Sequence, residues 1–300
     1  MNIDVVSIPY RYDQRSEGLG AGPDALLATG LIAELQDAKV GIGGVAVAEL
    51  DADTIEPGRT AVNIGHLGAR TAELVAAARE RGSGVLVLAG DDTASIGVVA
   101  GMQAAGGAGE RIGVVWIDAH GDFNTPETSY SGILAGMPVA ILAGLAGPLW
   151  REAAGLLAPI PTDRILLAGA RELDEKEETL LQSTEVRLVR DAQLRDKSTF
   201  NDAVQRLANR CQSLVLHVDL DVLDPRFVPS ASTPSPNGLT VEELIGILQR
   251  VLQTGKVAVI ALSSLNPGAG NRGQRSVNSA REVLLGAMPS WAEAPPVSTR

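Results

Sequence analysis

The chain has 300 residues, enough to bury a large core in one large domain or two ordinary ones. Aromatic residues make up only 3% against 45% hydrophobic residues in all, so the core must be aliphatic. A net charge of -11 is a poor match for nucleic acid or an anionic membrane, and no run of roughly 18 uncharged apolar residues offers a membrane span.

The start, Met1-Asn2-Ile3-Asp4, has no basic region and no long apolar run, so no signal peptide is expected. Ile3–Ile8 reads as a short buried strand. Gly18 to Pro23 forms a loop, and Pro23 suits the first turn of a helix over Asp24–Leu35. Val40–Leu50 reads as a second strand region. Thr60–Arg81 has helical apolar spacing and Gly82 stops it. Five apolar strands follow, at Gly84–Leu88, Ile112–Ile117, Arg164–Leu167, Leu214–Leu220 and Val257–Leu262. Ala94–Ala105, Val139–Leu157, Glu175–Leu181 and Val241–Leu252 can supply helices between them. Strands apolar on both faces belong in parallel sheets covered by helices, which predicts a doubly wound α/β architecture in one domain over 1–300. The stretch from Met288 to Arg300, with three prolines and little periodicity, reads as a loose tail. The single cysteine, Cys211, excludes an intramolecular disulfide and suits a reducing cytoplasm.

Acidic clusters stand where these strands end, the edge at which functional groups of such sheets gather. Asp118-Ala-His120-Gly-Asp122 follows the core-like Val114–Ile117. Alternation would place its three polar side chains on one face, converging on one point. Burying them among apolar groups is costly without a cation; the competing reading is an exposed polar loop. Asp219 and Asp221 end another strand, where two close carboxylates would raise each other's pKa unless a divalent ion lay between them. Gly90-Asp91-Asp92-Thr93 can add a further ligand. His217, two residues before Asp219, faces the same side but deeper, either as a core histidine or as a group that orients Asp219 from behind. His66, near a helix start, reads as structural or surface.

In Asp118 to Pro126, Asp219 to Pro225, Thr233-Pro234 and Gly238-Leu239-Thr240, taken in that order and with that spacing, the chain resembles the arginase/agmatinase family of ureohydrolases. Gly18 to Pro23 and Arg171 to Asp174 extend the resemblance, which spans about Gly18 to Pro267. It implies a three-layer α/β/α domain with a central, mostly parallel sheet of about eight strands, assembled as a trimer or hexamer in the cytoplasm. It also implies two Mn²⁺ ions, with one possible. Asp118 and Asp219 would be shared between the ions, Asp92 and Asp122 would complete one, and His120 and Asp221 the other. The chemistry implied is attack of an activated water on a guanidinium or amidine carbon, with Asp122 and His120 as catalytic groups. Asn124, Ser131, Asp174 and Thr233 match positions on the substrate side; Asn124 could equally build the turn before Thr125-Pro126.

Four departures bear on activity. Asp92 stands where most members carry a metal-binding histidine; it can ligate manganese, but adds a negative charge, and the competing reading turns it away and leaves one ion out. Ala135 stands where the family has a histidine regarded as a proton shuttle. Ser264 stands where a glutamate grips the guanidinium, and Ile133 replaces an asparagine. The cage is kept while the substrate side is altered. That pattern implies either a retuned guanidino-type substrate, as in the hydroxyarginine-hydrolysing branch whose Asp-Ala-His-Gly-Asp-Phe-Asn-Thr-Pro-Glu-Thr run this chain resembles, or a non-catalytic metal-binding member. Amide deacetylation, hosted by the same fold class, fits less well because one histidine with several aspartates suits manganese better than zinc.

Overall fold

A sheet whose strands are apolar on both faces needs cover on both sides, and here both sides are covered. The computed structural model describes residues 1–107, 109–294 and 297. Its strands are β1 (Asn2–Ile8), β2 (Tyr10–Arg11), β3 (Gln14–Arg15), β4 (Gly41–Val47), β5 (Gly84–Ala89), β6 (Ile112–Ile117), β7 (Ile165–Ala168), β8 (Arg187–Val189), β9 (Ser213–Asp219) and β10 (Val257–Ser263). Eight of them form one sheet in the order β4-β1-β5-β10-β9-β6-β7-β8, parallel at every pairing. β2 and β3 make a separate antiparallel ribbon.

One core layer packs helices Gly22–Leu27, Leu31–Asp37, Lys197–Arg210, Val241–Leu252 and Asn271–Ala292 against one face of the sheet. The other packs Thr60–Glu80, Ser95–Gly106, Pro138–Leu142 and Pro148–Ala153 against the opposite face. This is the expected three-layer α/β/α arrangement. The chain leaves β5, crosses to β6, and later fills the gap between them with β9 and β10. That switch in strand order opens a crevice at the carboxyl ends of these four neighbouring strands. Register aligns the ends: Leu262 lies opposite Leu88, Ser263 opposite Asp219, and Val218 opposite Ile117.

Local differences from the sequence reading have local causes. The helix expected over Asp24–Leu35 is two helices, broken at Gly30 with φ +86°. The stretch Val139–Leu157 is likewise two short helices, separated by Gly144 and Gly147, both at positive φ. β8 was not expected, since its three residues include only one buried side chain. Helix Lys197–Arg210 was also missed, although Phe200, Ala203, Val204, Leu207 and Ala208 carry the helical spacing.

The expected loose tail from Met288 is corrected: the last helix runs to Ala292 with Pro289 inside it. Met288 and Trp291 are buried, and Trp291 Nε1 donates to the Val257 carbonyl at 2.9 Å. Apolar contact with the sheet outweighs the proline's lost hydrogen bond. Residues 295, 296 and 298–300 of that stretch lie outside the described residues. Among the described residues no helix is long and apolar enough to cross a membrane.

Trp291→Ala is expected to lower unfolding free energy by about 3–5 kcal/mol, because it empties a large buried site and orphans the Val257 carbonyl. Urea denaturation followed by circular dichroism measures this. A change below about 1 kcal/mol, the range of ordinary surface substitutions, would mean that the C-terminal helix is not docked.

Candidate metal centre

One device recurs where the central strands end. An aspartate side chain turns forward and accepts the amide two residues on, closing an Asx turn. Asp91 Oδ1 accepts Thr93 N at 3.0 Å after β5, Asp118 Oδ1 accepts His120 N at 2.7 Å after β6, and Asp219 Oδ1 accepts Asp221 N at 2.6 Å at the end of β9. Asp91 Oδ2 also accepts Tyr12 N at 2.8 Å, which ties the β2–β3 ribbon over the crevice. Gly90 lies where β1, β5 and β10 finish. Its N–H donates to the Ile8 carbonyl and its carbonyl accepts Ser264 N. A Cβ there would lie 2.0 Å from the Tyr10 carbonyl oxygen, so only glycine fits.

The turns bring the expected ligands together. Asp92, His120, Asp122, Asp219 and Asp221 line one cavity of about 380 Å³. Asp118 lies beneath it, with ligand atoms within 4.8 Å of those of His120 and Asp221, and also of those of Asp92 and His217. His120 Nδ1 is 3.0 Å from Asp221 Oδ2 and 3.4 Å from Asp118 Oδ1. All five aspartates are buried and His120 is half-buried.

Convergence comes about differently from the expected strand alternation. β6 ends at Ile117, and Asp118, His120 and Asp122 all lie beyond it. Asp122 is turned inward by a left-handed backbone at φ +46°, a conformation aspartate tolerates. Asp221 sits in a single 3₁₀ turn after β9 rather than on the strand. His217 does not orient Asp219; its Nε2 lies 3.0 Å from Asp92 Oδ1. Asp92 does not turn away, since it lines the cavity. His66 sits in helix Thr60–Glu80 and does not line the cavity.

The expected substrate-side residues Asn124, Ser131, Asp174 and Thr233 also line this cavity. Asn124 Nδ2 donates to Asp174 Oδ2 at 3.2 Å. Thr233 Oγ1 donates to Asp221 Oδ2 at 2.9 Å, so its hydroxyl is committed to a ligand carboxylate. Ser131 lies exposed at the rim, accepting Ile133 N at 3.2 Å. Four further lining residues escaped the sequence reading: Arg11, Tyr12, Glu177 and Ser232. The first two come from a ribbon too short to show a period. Glu177 had a legible signal, an acid three residues after Asp174 at a helix start. It accepts Asp174 N at 3.2 Å and Phe123 N at 2.8 Å, joining that helix to the Asp122 turn.

Electrostatics show why this donor set suits a cation. Burial, then the charges of Asp118, Asp92, Glu177 and Asp221, push the Asp122 carboxyl well above the usual range. Burial and the neighbouring aspartates do the same to Asp219. Burial and Asp118 lift Asp221 to about 6, and burial lifts Glu177 to about 7. Burial alone would lower His120, but its bonds to Asp118 and Asp221 raise it to about 11. Asp122 Oδ2 is buried with no hydrogen-bond partner among the described residues. Carboxylate oxygens with one imidazole match the preferences of a hard divalent cation, and the residues fit such an ion.

The Arginase family model matches residues 1–288. The arginase of Neurospora crassa is 31% identical over 283 residues, covering 89% of this chain and 78% of that protein. The arginase of Bacillus caldovelox is 28% identical over 295 residues, covering 95% and 97%. In three dimensions the arginase of Bacillus subtilis aligns with a TM-score of 0.84 at 25% identity, covering 96% of this chain and 98% of that one.

Raised acid pKa values mean that the folded, metal-free protein holds protons the unfolded chain has released. Its stability should therefore fall as pH rises from about 4, the unfolded carboxyl range, through the values near 6 and 7 of Asp221 and Glu177. His120 does not offset this: its stabilising contribution is fully present below its unfolded value of about 6.5 and is lost progressively between there and about 11, so it adds to the fall at the upper end of the range. Added MnCl₂ should reverse the loss, and more strongly at higher pH, since it displaces those protons. Urea denaturation of chelator-treated protein from pH 4 to 8, with and without the metal, measures both effects. Identical pH dependence in the two series would exclude a cation from the cluster.

Proposed function

This chain belongs to the arginase family of hydrolases, and on that footing we propose that it hydrolyses a C–N bond in a guanidino- or amidino-type small molecule with manganese. The observation that carries the reading is the convergence of five buried aspartates and His120 on one cavity, with an Asp122 oxygen left unpartnered inside it. Asp118 and Asp219 would be shared by two ions, with Asp92 and Asp122 completing one position and His120 and Asp221 the other. Bound divalent ions would supply a water of lowered pKa and Lewis-acid charge.

The chain's own groups do the rest. Asp122, whose Oδ2 is left without a hydrogen-bond partner among the described residues, accepts the proton of the attacking water there and returns it towards the leaving nitrogen. Thr233 and the Ala119 amide fix Asp221 through hydrogen bonds to its two oxygens. Glu177 holds the Asp122 turn through Phe123 N. Asn124 and Asp174, bonded to each other, form the cavity wall that would read the far end of the substrate. Ser131 stands beyond them at the rim.

The substrate is set by what the cavity lacks and by what it adds. Ser264 offers a neutral hydroxyl that leans 3.3 Å from Asp92 Oδ2, and Ala135 brings no proton-transferring group. Unmodified arginine and agmatine, which call for a charge-assisted grip on the guanidinium, are therefore poor candidates. A modified guanidine, such as a hydroxylated one, fits better, and Arg11 adds a cation to the cavity lining. The reading carries with it a cytoplasmic location and assembly as a trimer or hexamer; the one cysteine, Cys211, is free and buried, which accords with a reducing compartment.

Manganese-loaded protein should release urea or a substituted urea from at least one member of a guanidino panel that includes arginine, agmatine and hydroxyarginine. Chelation should abolish turnover, and Asp122→Asn should lower kcat by about 10²–10⁴-fold, the range for loss of a general base. Protein that holds two ions yet turns over nothing on the panel would instead establish a non-catalytic metal-binding member.

A further inference from the structure

His217 is a buried imidazole that the reaction outlined above does not use. It is 1% exposed, and its ring stacks on the Trp116 indole with centroids 3.5 Å apart and planes 13° from parallel. Nδ1 lies 2.8 Å from Ser95 Oγ and Nε2 lies 3.0 Å from Asp92 Oδ1. The same Asp92 oxygen accepts Ser263 Oγ at 2.7 Å. A neutral ring satisfies this network, with Nδ1 accepting from Ser95 and Nε2–H donating to Asp92. Asp92 Oδ1 is thereby engaged twice on the side facing the sheet. Its Oδ2 meets only Ser264 Oγ at 3.3 Å, while Asp92 lines the cavity.

Depth separates His217 from the ligands. It pairs across the sheet with Trp116 and Ala261, two residues below the level at which Asp219 faces Ser263. Two strand residues amount to roughly 6.6 Å, and His217 does not line the cavity. Its ligand atom does come within 4.8 Å of those of Asp92 and Asp118, so contact with an ion is the alternative to be tested.

We propose that His217 is a positioning residue that makes Asp92 a single-oxygen metal ligand, holding Oδ1 together with Ser263 so that Oδ2 faces the ion. The family's imidazole at this position is in effect replaced by a carboxylate in front and an imidazole behind it. This rests on the cavity being a manganese centre. Such supporting partners are worth about 10–100-fold in metal affinity.

The test uses full-length, chelator-stripped protein titrated with MnCl₂, with binding followed by calorimetry and by the EPR signal of free Mn²⁺. Wild type is expected to bind two ions per chain. His217→Ala should weaken one of the two about 10–100-fold and leave the other, whereas His217→Gln, whose amide can donate from near the Nε2 position, should largely restore it. Nitrogen couplings in pulsed EPR of the bound manganese should be the same in wild type and His217→Gln. Unchanged affinity in His217→Ala overturns the proposal, and so does a nitrogen coupling lost in His217→Gln, which would make His217 itself a ligand. If His217→Ala does not fold, Ser263→Ala decides, because it removes the other donor to Oδ1 and should weaken the same ion. A wild type that binds no Mn²⁺ removes the metal centre itself, an outcome distinct from two bound ions that ignore the variants.

Discussion

Buried carboxylates crowded into one cavity repel one another and lose their hydration, and the architecture at the strand ends is arranged around that cost. Asp92, Asp118, Asp122, Asp219 and Asp221 are all buried, and His120 is the cationic partner held directly against Asp118 and Asp221. Without compensation the cluster holds protons above the usual carboxylate range, as the raised Asp122, Asp219 and Asp221 carboxyls show. A chain whose only purpose was stability would have no reason to assemble such a set on three of its four central strands. A cation turns the same arrangement from a liability into a binding site.

Backbone geometry, more than side-chain reach, delivers these groups. Asx turns at Asp91, Asp118 and Asp219 bend the chain at the ends of three of the four central strands, β5, β6 and β9. Arg171 then braces the turn after β9 from outside, donating to the Asp221 and Ser235 carbonyls. Side chains held by their own turns cannot drift, which is what a preorganised site requires. The aspartates at 118 and 219 therefore form turns through Oδ1 and, on the proposed reading, would serve a second time as metal ligands.

The cage and the substrate wall have been treated differently. On the cage side, Asp92 is held by His217 and Ser263, and His217 in turn by Ser95, which leaves a defined carboxylate rather than a loose one. On the substrate side, Ala135, Ile133 and Ser264 bring nothing equivalent in charge, and Arg11 and Tyr12 from the β2–β3 ribbon enter instead. Under the proposed reading, the carboxylate cage would hold the metal while Arg11 and the neutral Ser264 would set the guanidino-type substrate.

The sequence by itself determined the fold class, most of the strands and the acidic residues that meet at the strand ends. Apolar runs punctuated by acidic residues carry their own period, and the Asp118 to Pro126 and Asp219 to Pro225 segments are local patterns. Elements without a strong period were hidden, such as β8 with one buried residue, or the last helix with Pro289 within it. Only the tertiary structure decided which groups touch across distance. That His217 serves Asp92 and not Asp219 depends on β5 and β9 flanking β10, residues 125 apart in the chain meeting through the sheet order. That Thr233 holds Asp221, and that Arg11 and Tyr12 join the cavity, are likewise matters of packing, for which a linear pattern holds no information because the contacts are made between elements that share no local period.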